Sequence, residues 1–139
     1  MTNSSVEPFK FTVPFDEADG EGIVFFGNYF RLAHRALELY LPRIGIPWAE
    51  WFQSSEYGVP LRHAETEYLR PLRPGEEYDV GIRVAEIGTS SVRFHCEFRG
   101  PGGEVCARTK TSHVFVNRAT VRKTDIPPSL RLRLESALR

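Results

Sequence analysis

The sequence predicts an α+β fold: an antiparallel, curved sheet of about five strands wrapped round one long central helix. Three observations carry this. An apolar stripe of helical period runs from Phe26 to Leu41. Two-residue alternation recurs at residues 9–15, 78–84 and 92–98. The turns in the second half have hairpin length, which makes their strands antiparallel. A chain of 139 residues fits one domain, with a core over residues 9–117 and a tail over 118–139.

Each element has its own signal. Phe9, Phe11, Val13 and Phe15 alternate with Lys10 and Thr12, giving a first strand with one buried face. Pro14 puts it near an edge or a strand end. An acidic, glycine-rich turn follows. Phe26, Tyr29, Phe30, Ala33, Leu37, Tyr40 and Leu41 then line one helix face, and Pro42 is expected to stop it. Residues 43–60 read as an irregular connection anchored by Trp48, Trp51 and Phe52.

The remainder reads as strands. Residues 61–69 are extended, and Pro71 and Pro74-Gly75 turn the chain. Tyr78, Val80, Ile82 and Val84 alternate, as do Val92, Phe94, Cys96 and Phe98, with Gly88-Thr89-Ser90 between them. Gly100-Pro101-Gly102-Gly103 leads into a last strand over residues 104–117. Setting Val105 opposite Phe98 and Ala107 opposite Cys96 aims Cys106 at the other face, so a Cys96–Cys106 disulfide is not expected. Ser129 is placed to cap a short helix carrying Leu130, Leu134 and Leu138.

Composition excludes several functions. Apolar residues make up 41% of the chain, which argues against disorder. Lys plus Arg number 18, as do Asp plus Glu, so nothing favours nucleic acid or an anionic membrane as partner. No secretory leader pattern precedes residue 9 and no apolar run could span a bilayer, so a cytoplasmic protein is expected. His34, His63, His95 and His113 are too scattered to hold a metal. There is no G-x-S-x-G elbow, and neither cysteine sits in a nucleophile motif.

The chemistry-bearing stretch is the acidic turn, with Asp16, Glu17, Asp19 and Glu21. Ala18 and Gly20 stand where a calcium loop beginning at Asp16 needs acids. Gly20-Glu21-Gly22 is not a dinucleotide fingerprint, and its acids would repel a pyrophosphate. A solvated turn is one reading. However, the turn runs directly into Ile23-Val24-Phe25-Phe26 and a helix. Phe26 and Gly27 offer no capping oxygen, so the first-turn amides can receive a carbonyl oxygen as it gains charge, unless Asn28 caps them.

Asp19-Gly20-Glu21-Gly22-Ile23-Val24-Phe25-Phe26-Gly27-Asn28-Tyr29 resembles the signature of the 4-hydroxybenzoyl-CoA thioesterase family of hotdog-fold enzymes. That signature is an aspartate, two variable residues, a glycine, an apolar run, Asn-Tyr and a long helix. The order of elements resembles the family over residues 9–117. Tyr57-Gly58-Val59-Pro60-Leu61-Arg62-His63-Ala64 and Thr111-Ser112-His113-Val114 are similar to segments of 1,4-dihydroxy-2-naphthoyl-CoA hydrolases. The resemblance implies a hotdog domain that hydrolyses an acyl-CoA, with an aromatic acyl group. It makes Asp19 the nucleophile or general base and the Phe26 amide the donor to the thioester carbonyl. Gly22, Phe25, Asn28, Tyr29, Trp48 and His63 become substrate-binding candidates. Ser90 and Ser91, with Arg70 and Arg73, become candidates for coenzyme A.

The chain departs from the family in two places. It has no histidine after Gly22, and Gly88-Thr89-Ser90-Ser91 replaces a basic cluster. His34 is placed to orient a neighbour, and His113 is assigned a structural role. Glu65 and Glu67 lie on a predicted strand and rank below Asp19. No metal or separate cofactor is implied; coenzyme A belongs to the substrate. Exposed sheet edges suggest a homodimer or homotetramer. Two alternatives remain: the same chemistry on an acyl carrier protein, and a non-catalytic acyl-CoA-binding protein.

Overall fold

The computed structural model describes residues 8–24 and 26–138. Its elements are β1 (Phe9–Thr12), α1 (Asn28–Arg43), α2 (Trp48–Phe52), β2 (Tyr57–Gly58), β3 (Leu61–Tyr68), β4 (Glu77–Ile87), β5 (Ser91–Arg99), β6 (Val105–Val114), β7 (Val116–Asn117) and α3 (Pro128–Ala137). Five strands form one antiparallel sheet in the order β1-β4-β5-β6-β3, as the hairpin-length turns predict. β2 and β7 pair separately.

Helix α1 lies on one face of the large sheet. Tyr29 near its start packs edge-on against Phe98 with ring centroids 6.0 Å apart. Tyr40 near its end packs against Phe94 at 6.3 Å and accepts the Val84 N–H at 3.3 Å. Tyr29, Leu32, Ala33, Ala36, Leu37, Tyr40 and Leu41 form the buried face. They meet Tyr78, Val80, Ile82, Val84, Val92, Phe94, Cys96 and Phe98 from the sheet. The helix start therefore sits over the Tyr78 and Phe98 end of the sheet, and its last turns over the Val84 and Phe94 end. Among the described residues no helix is long and apolar enough to cross a membrane.

Several local expectations are corrected. β1 ends at Thr12, a short 3-10 turn occupies Phe15–Glu17, and Phe15 is 87% exposed. Pro14 breaks the alternation before it reaches Phe15. The helical stripe begins at Tyr29; Phe26 precedes the helix and is 63% exposed. Pro42 lies within α1 because its fixed φ is compatible with a helix. Gly45, at φ +86°, breaks the run after Arg43. Residues 43–60 contain α2 and β2.

Phe98 pairs with Ala107, and Cys96 with Thr109, two residues beyond the predicted register. An irregularity beside Phe98 brings Arg99 opposite Val105 and leaves Cys106 unpaired in the ladder. A shift of two keeps Ala107 on its expected face, but the irregularity sets Val105 opposite Arg99 and places Cys106 in the buried core cluster instead of on the outer face. Both cysteines are buried and free. The predicted last strand splits at the buried Phe115 into β6 and β7. Ser129 does not cap α3; Pro127 holds the N-cap position and Pro128 opens the helix, where its missing N–H costs nothing.

Candidate active site

The acidic turn folds on itself directly before α1. Asp19 N–H donates to the Ile23 carbonyl at 2.8 Å, and Gly22 N–H to the Asp19 carbonyl at 3.1 Å. Asp19 Oδ1 accepts the Glu21 N–H at 2.8 Å, which fixes the carboxylate relative to its own loop. Gly22 takes φ +77°, a conformation that a side chain would strain. Ala18 and Val24 close the loop with an antiparallel bridge. Asp16, Asp19, Gly20 and Glu21 are all exposed.

Leu72 ties this loop to the helix. Val24 N–H donates to the Leu72 carbonyl at 2.8 Å, while Leu72 N–H donates to the Tyr29 hydroxyl at 3.1 Å. Burial raises the Tyr29 pKa, partly offset by the Leu72 N–H, so the phenol stays neutral. The Tyr68 hydroxyl donates to the Phe26 carbonyl at 3.0 Å. The Tyr68 ring meets Tyr29 edge-on at 4.9 Å and Phe26 at 6.5 Å. Gly27 is the N-cap of α1, with no side chain to shield the first turn, so an electron-rich atom is favoured there.

The loop after β3 borders the same place. Leu69 and Arg70 N–H groups both donate to the Cys106 carbonyl at 2.9 Å, and Arg73 N–H donates to the Tyr78 hydroxyl at 2.8 Å. Tyr78 in turn donates to Glu76 Oε1 at 2.8 Å; burial pushes its phenol up to about 12. Exposed Arg70 and Arg73 thus flank Leu72 on the strip that holds the Asp19 loop. A carboxylate, a helix start and two guanidiniums share one end of the molecule. That set suits a carbonyl compound carrying a distant anionic group.

The other candidates lie elsewhere. Asn28 is the first residue of α1 and is half-buried. Phe25 and the Glu17 side chain lie outside the described residues. His63 alternates with the helix-facing Tyr68, Thr66 and Ala64, so it points from the opposite face of the sheet, 3.3 Å from Glu65 Oε1. Ser90 and Ser91 sit at the β4–β5 turn, the whole length of β5 away from Phe98. That turn is occupied structurally: the Ser90 carbonyl accepts Phe115 N–H at 2.7 Å, and the Gly88 carbonyl accepts from Arg131 at 2.8 Å. Trp48 is 45% exposed on α2 and packs on Phe52 at 5.3 Å.

Between α1, α2 and the sheet lies a cavity of about 130 Å³. Phe30, one turn along α1 from Phe26, is part of its wall, and Trp51 rather than Trp48 faces it. Sequence patterns did not single out Leu72 or Tyr68, and they marked Tyr78 only as a strand residue and Trp51 only as an apolar anchor. Tyr68 at the end of an extended run, and Trp51 at helical spacing from Trp48, were the available signals.

Comparisons with known proteins agree on the kind of molecule. The model of a family described as the thioesterase-like superfamily matches residues 13–134. A 1,4-dihydroxy-2-naphthoyl-CoA hydrolase from Thermosynechococcus vestitus is 28% identical over 137 residues, covering 99% of this chain and 94% of that protein. A protein of the same name from Rippkaea orientalis is 28% identical over 127 residues, covering 90% and 92%. The solved structure of a 1,4-dihydroxy-2-naphthoyl-CoA thioesterase from Synechocystis superposes with a TM-score of 0.84 at 19% identity, covering 92% of this chain and 94% of that one. This last likeness speaks to the shared hotdog fold.

Proposed function

Because this chain belongs to the thioesterase-like superfamily, we propose that it hydrolyses an aromatic acyl-CoA to the free acid and coenzyme A. The observation that carries this reading is the Leu72 peptide, which ties the Asp19 loop and the first turn of α1 to one point. A carboxylate and a helix start held together are what acyl transfer from a thioester requires. The naphthoyl-CoA hydrolases that this chain resembles support an aromatic acyl group.

In this reading the thioester carbonyl accepts from the Phe26 amide. Asp19 then acts in one of two ways. Its oxygen attacks the carbonyl carbon, the C–S bond breaks and the thiolate of coenzyme A leaves to take a proton from solvent. Water then hydrolyses the resulting anhydride. Alternatively, Asp19 removes a proton from a water that attacks the same carbon, and that proton leaves with the thiolate. Both routes need an ionised Asp19, and the helix dipole at the start of α1 stabilises the developing oxyanion. Neither route calls for a metal or a further cofactor.

Arg70 and Arg73 supply positive charge for the phosphates of coenzyme A. Two buried free thiols fit a reducing, cytoplasmic setting. Among the described residues the outer edge of β3 takes part in no pairing within the large sheet, which supports a homodimer or homotetramer. Purified protein assayed for thiol release from benzoyl-CoA and naphthoyl-CoA tests the reading. Turnover of either supports it, and no release above background from any acyl-CoA refutes it.

A further inference from the structure

The inner face of β6 is unusual for a core. Thr109, Thr111 and His113 alternate along it, and all three line the cavity beneath α1. Thr109 and His113 are buried. Among the described residues the Thr109 hydroxyl and both ring nitrogens of His113 make no hydrogen bond of normal geometry; the Cys96 thiol beside Thr109 and the Val59 backbone beside His113 interact with them only weakly. Thr66, the cross-strand partner of Thr109, carries a buried hydroxyl in the same condition. Buried polar groups are almost always paired, because each one left bare keeps the full cost of losing its water. Several bare groups on adjoining strands, two of them in the wall of one cavity, call for an explanation beyond packing.

The rest of the wall is apolar and aromatic: Phe30, Leu37, Trp51, Phe52 and Phe94 among others. Phe94 and Trp51 present ring edges to the His113 imidazole at 5.6 and 6.5 Å. His34 also lines the cavity; it is exposed and pairs with Glu38 at 3.0 Å, which marks the solvent side. A volume of about 130 Å³ is close to that of an apolar cavity of roughly 150 Å³ that binds benzene. One aromatic ring therefore fills it.

We propose that Thr109 and His113 are specificity-determining residues, selecting an acyl group whose ring carries a hydroxyl or carbonyl at the end remote from the thioester. This rests on the thioesterase reading above, since Phe30 links the cavity to the helix start where the thioester would sit. The polar substituent supplies the partners that the chain does not. Burial pushes the imidazole down to about 4, so at neutral pH it is uncharged and offers one donor and one acceptor. An unsubstituted ring would leave these groups bare, and a site built for a hydroxyl rejects such a ring strongly.

The test compares kcat/KM for benzoyl-CoA and its three monohydroxy isomers, in the wild type and in Thr109→Val and His113→Phe. The best isomer is expected to exceed benzoyl-CoA by at least about tenfold in the wild type, and both substitutions to reduce that ratio to within about threefold. A wild-type ratio near one for every isomer, or a ratio unchanged in both variants, overturns the proposal. Binding of the free hydroxybenzoates and benzoate, read by fluorescence of Trp51 in a Trp48→Phe background, gives a readout independent of turnover. Stronger binding of a hydroxybenzoate, lost in Thr109→Val, supports the polar cavity even if no thioester is hydrolysed, in which case the thioesterase reading alone fails. Equal binding of all the acids refutes the cavity proposal. Should His113→Phe fail to fold, the isosteric Thr109→Val decides.

Discussion

The Tyr29 hydroxyl accepts the buried N–H of Leu72 at 3.1 Å, across 43 residues of sequence. It joins the first turn of α1 to a loop whose next bond, from Val24 to the Leu72 carbonyl, holds the acidic turn. In Tyr29→Phe the ring packing survives but the Leu72 N–H loses its acceptor. A stability loss of about 1–3 kcal/mol in urea unfolding is expected. Because the same bond positions the Asp19 loop, kcat falls as well, and a surviving kcat would separate the fold from the site.

Gly22 makes a sharper local test. A Cβ there meets nothing within 4 Å, so only the φ of +77° opposes a side chain. Gly22→Ala is expected to cost about 1–2 kcal/mol. Asn, which tolerates this conformation, should cost less than Ala. Thermal unfolding of the two variants checks the order.

Removing an unpaired buried hydroxyl should stabilise the protein. Thr109→Val keeps the shape of the side chain and discards a bare polar atom. The expected gain is about 1 kcal/mol, measured as a rise in Tm. A loss of stability would show that the hydroxyl has a partner in the folded protein. Together with the substrate ratio above, it tests whether stability and selectivity trade against each other at this position.

His113 also sets a pH dependence. Its folded pKa of about 4 lies below its ordinary value of 6.5, chiefly through burial, with the Val59 backbone offsetting a little and His34 adding repulsion. Below pH 6.5 the unfolded chain takes up a proton that the folded chain refuses. Stability present above pH 6.5 is therefore lost as pH falls, by up to about 1.4 kcal/mol per unit and about 3 kcal/mol by pH 4. His95, lowered by burial and by Arg83, changes stability in the same direction. The His113 share is isolated by comparing denaturant unfolding of the wild type and His113→Gln from pH 7.5 to 4.5. The variant should show the shallower dependence.

Local periodicity encoded which faces are buried, and so the sheet, the central helix and the turn carrying Asp19 were legible from residue order. Partners across the fold were not. Tyr68 and Phe26, 42 residues apart, meet only once β3 is laid beside β6 and α1 packs on the sheet. The Phe98–Ala107 register was two residues off because a shift of two leaves the hydrophobic pattern unchanged, and only the irregularity at Cys106 distinguishes the alternatives. Phe15 looked like a core residue because alternation alone cannot see that the strand has ended at Thr12. Thr109 was passed over and His113 read only as structural for the opposite reason: polar residues on an inward row look like the end of a pattern, whereas here they form part of a cavity wall.

The most direct test of the central reading is thiol release from an aromatic acyl-CoA by Asp19→Asn, which keeps an oxygen for the Glu21 N–H and removes the charge. With the variant folded to the same Tm, kcat is expected to drop by at least about a hundredfold. A kcat within about threefold of the wild type would mean that Asp19 is neither nucleophile nor base, and would contradict the proposed mechanism.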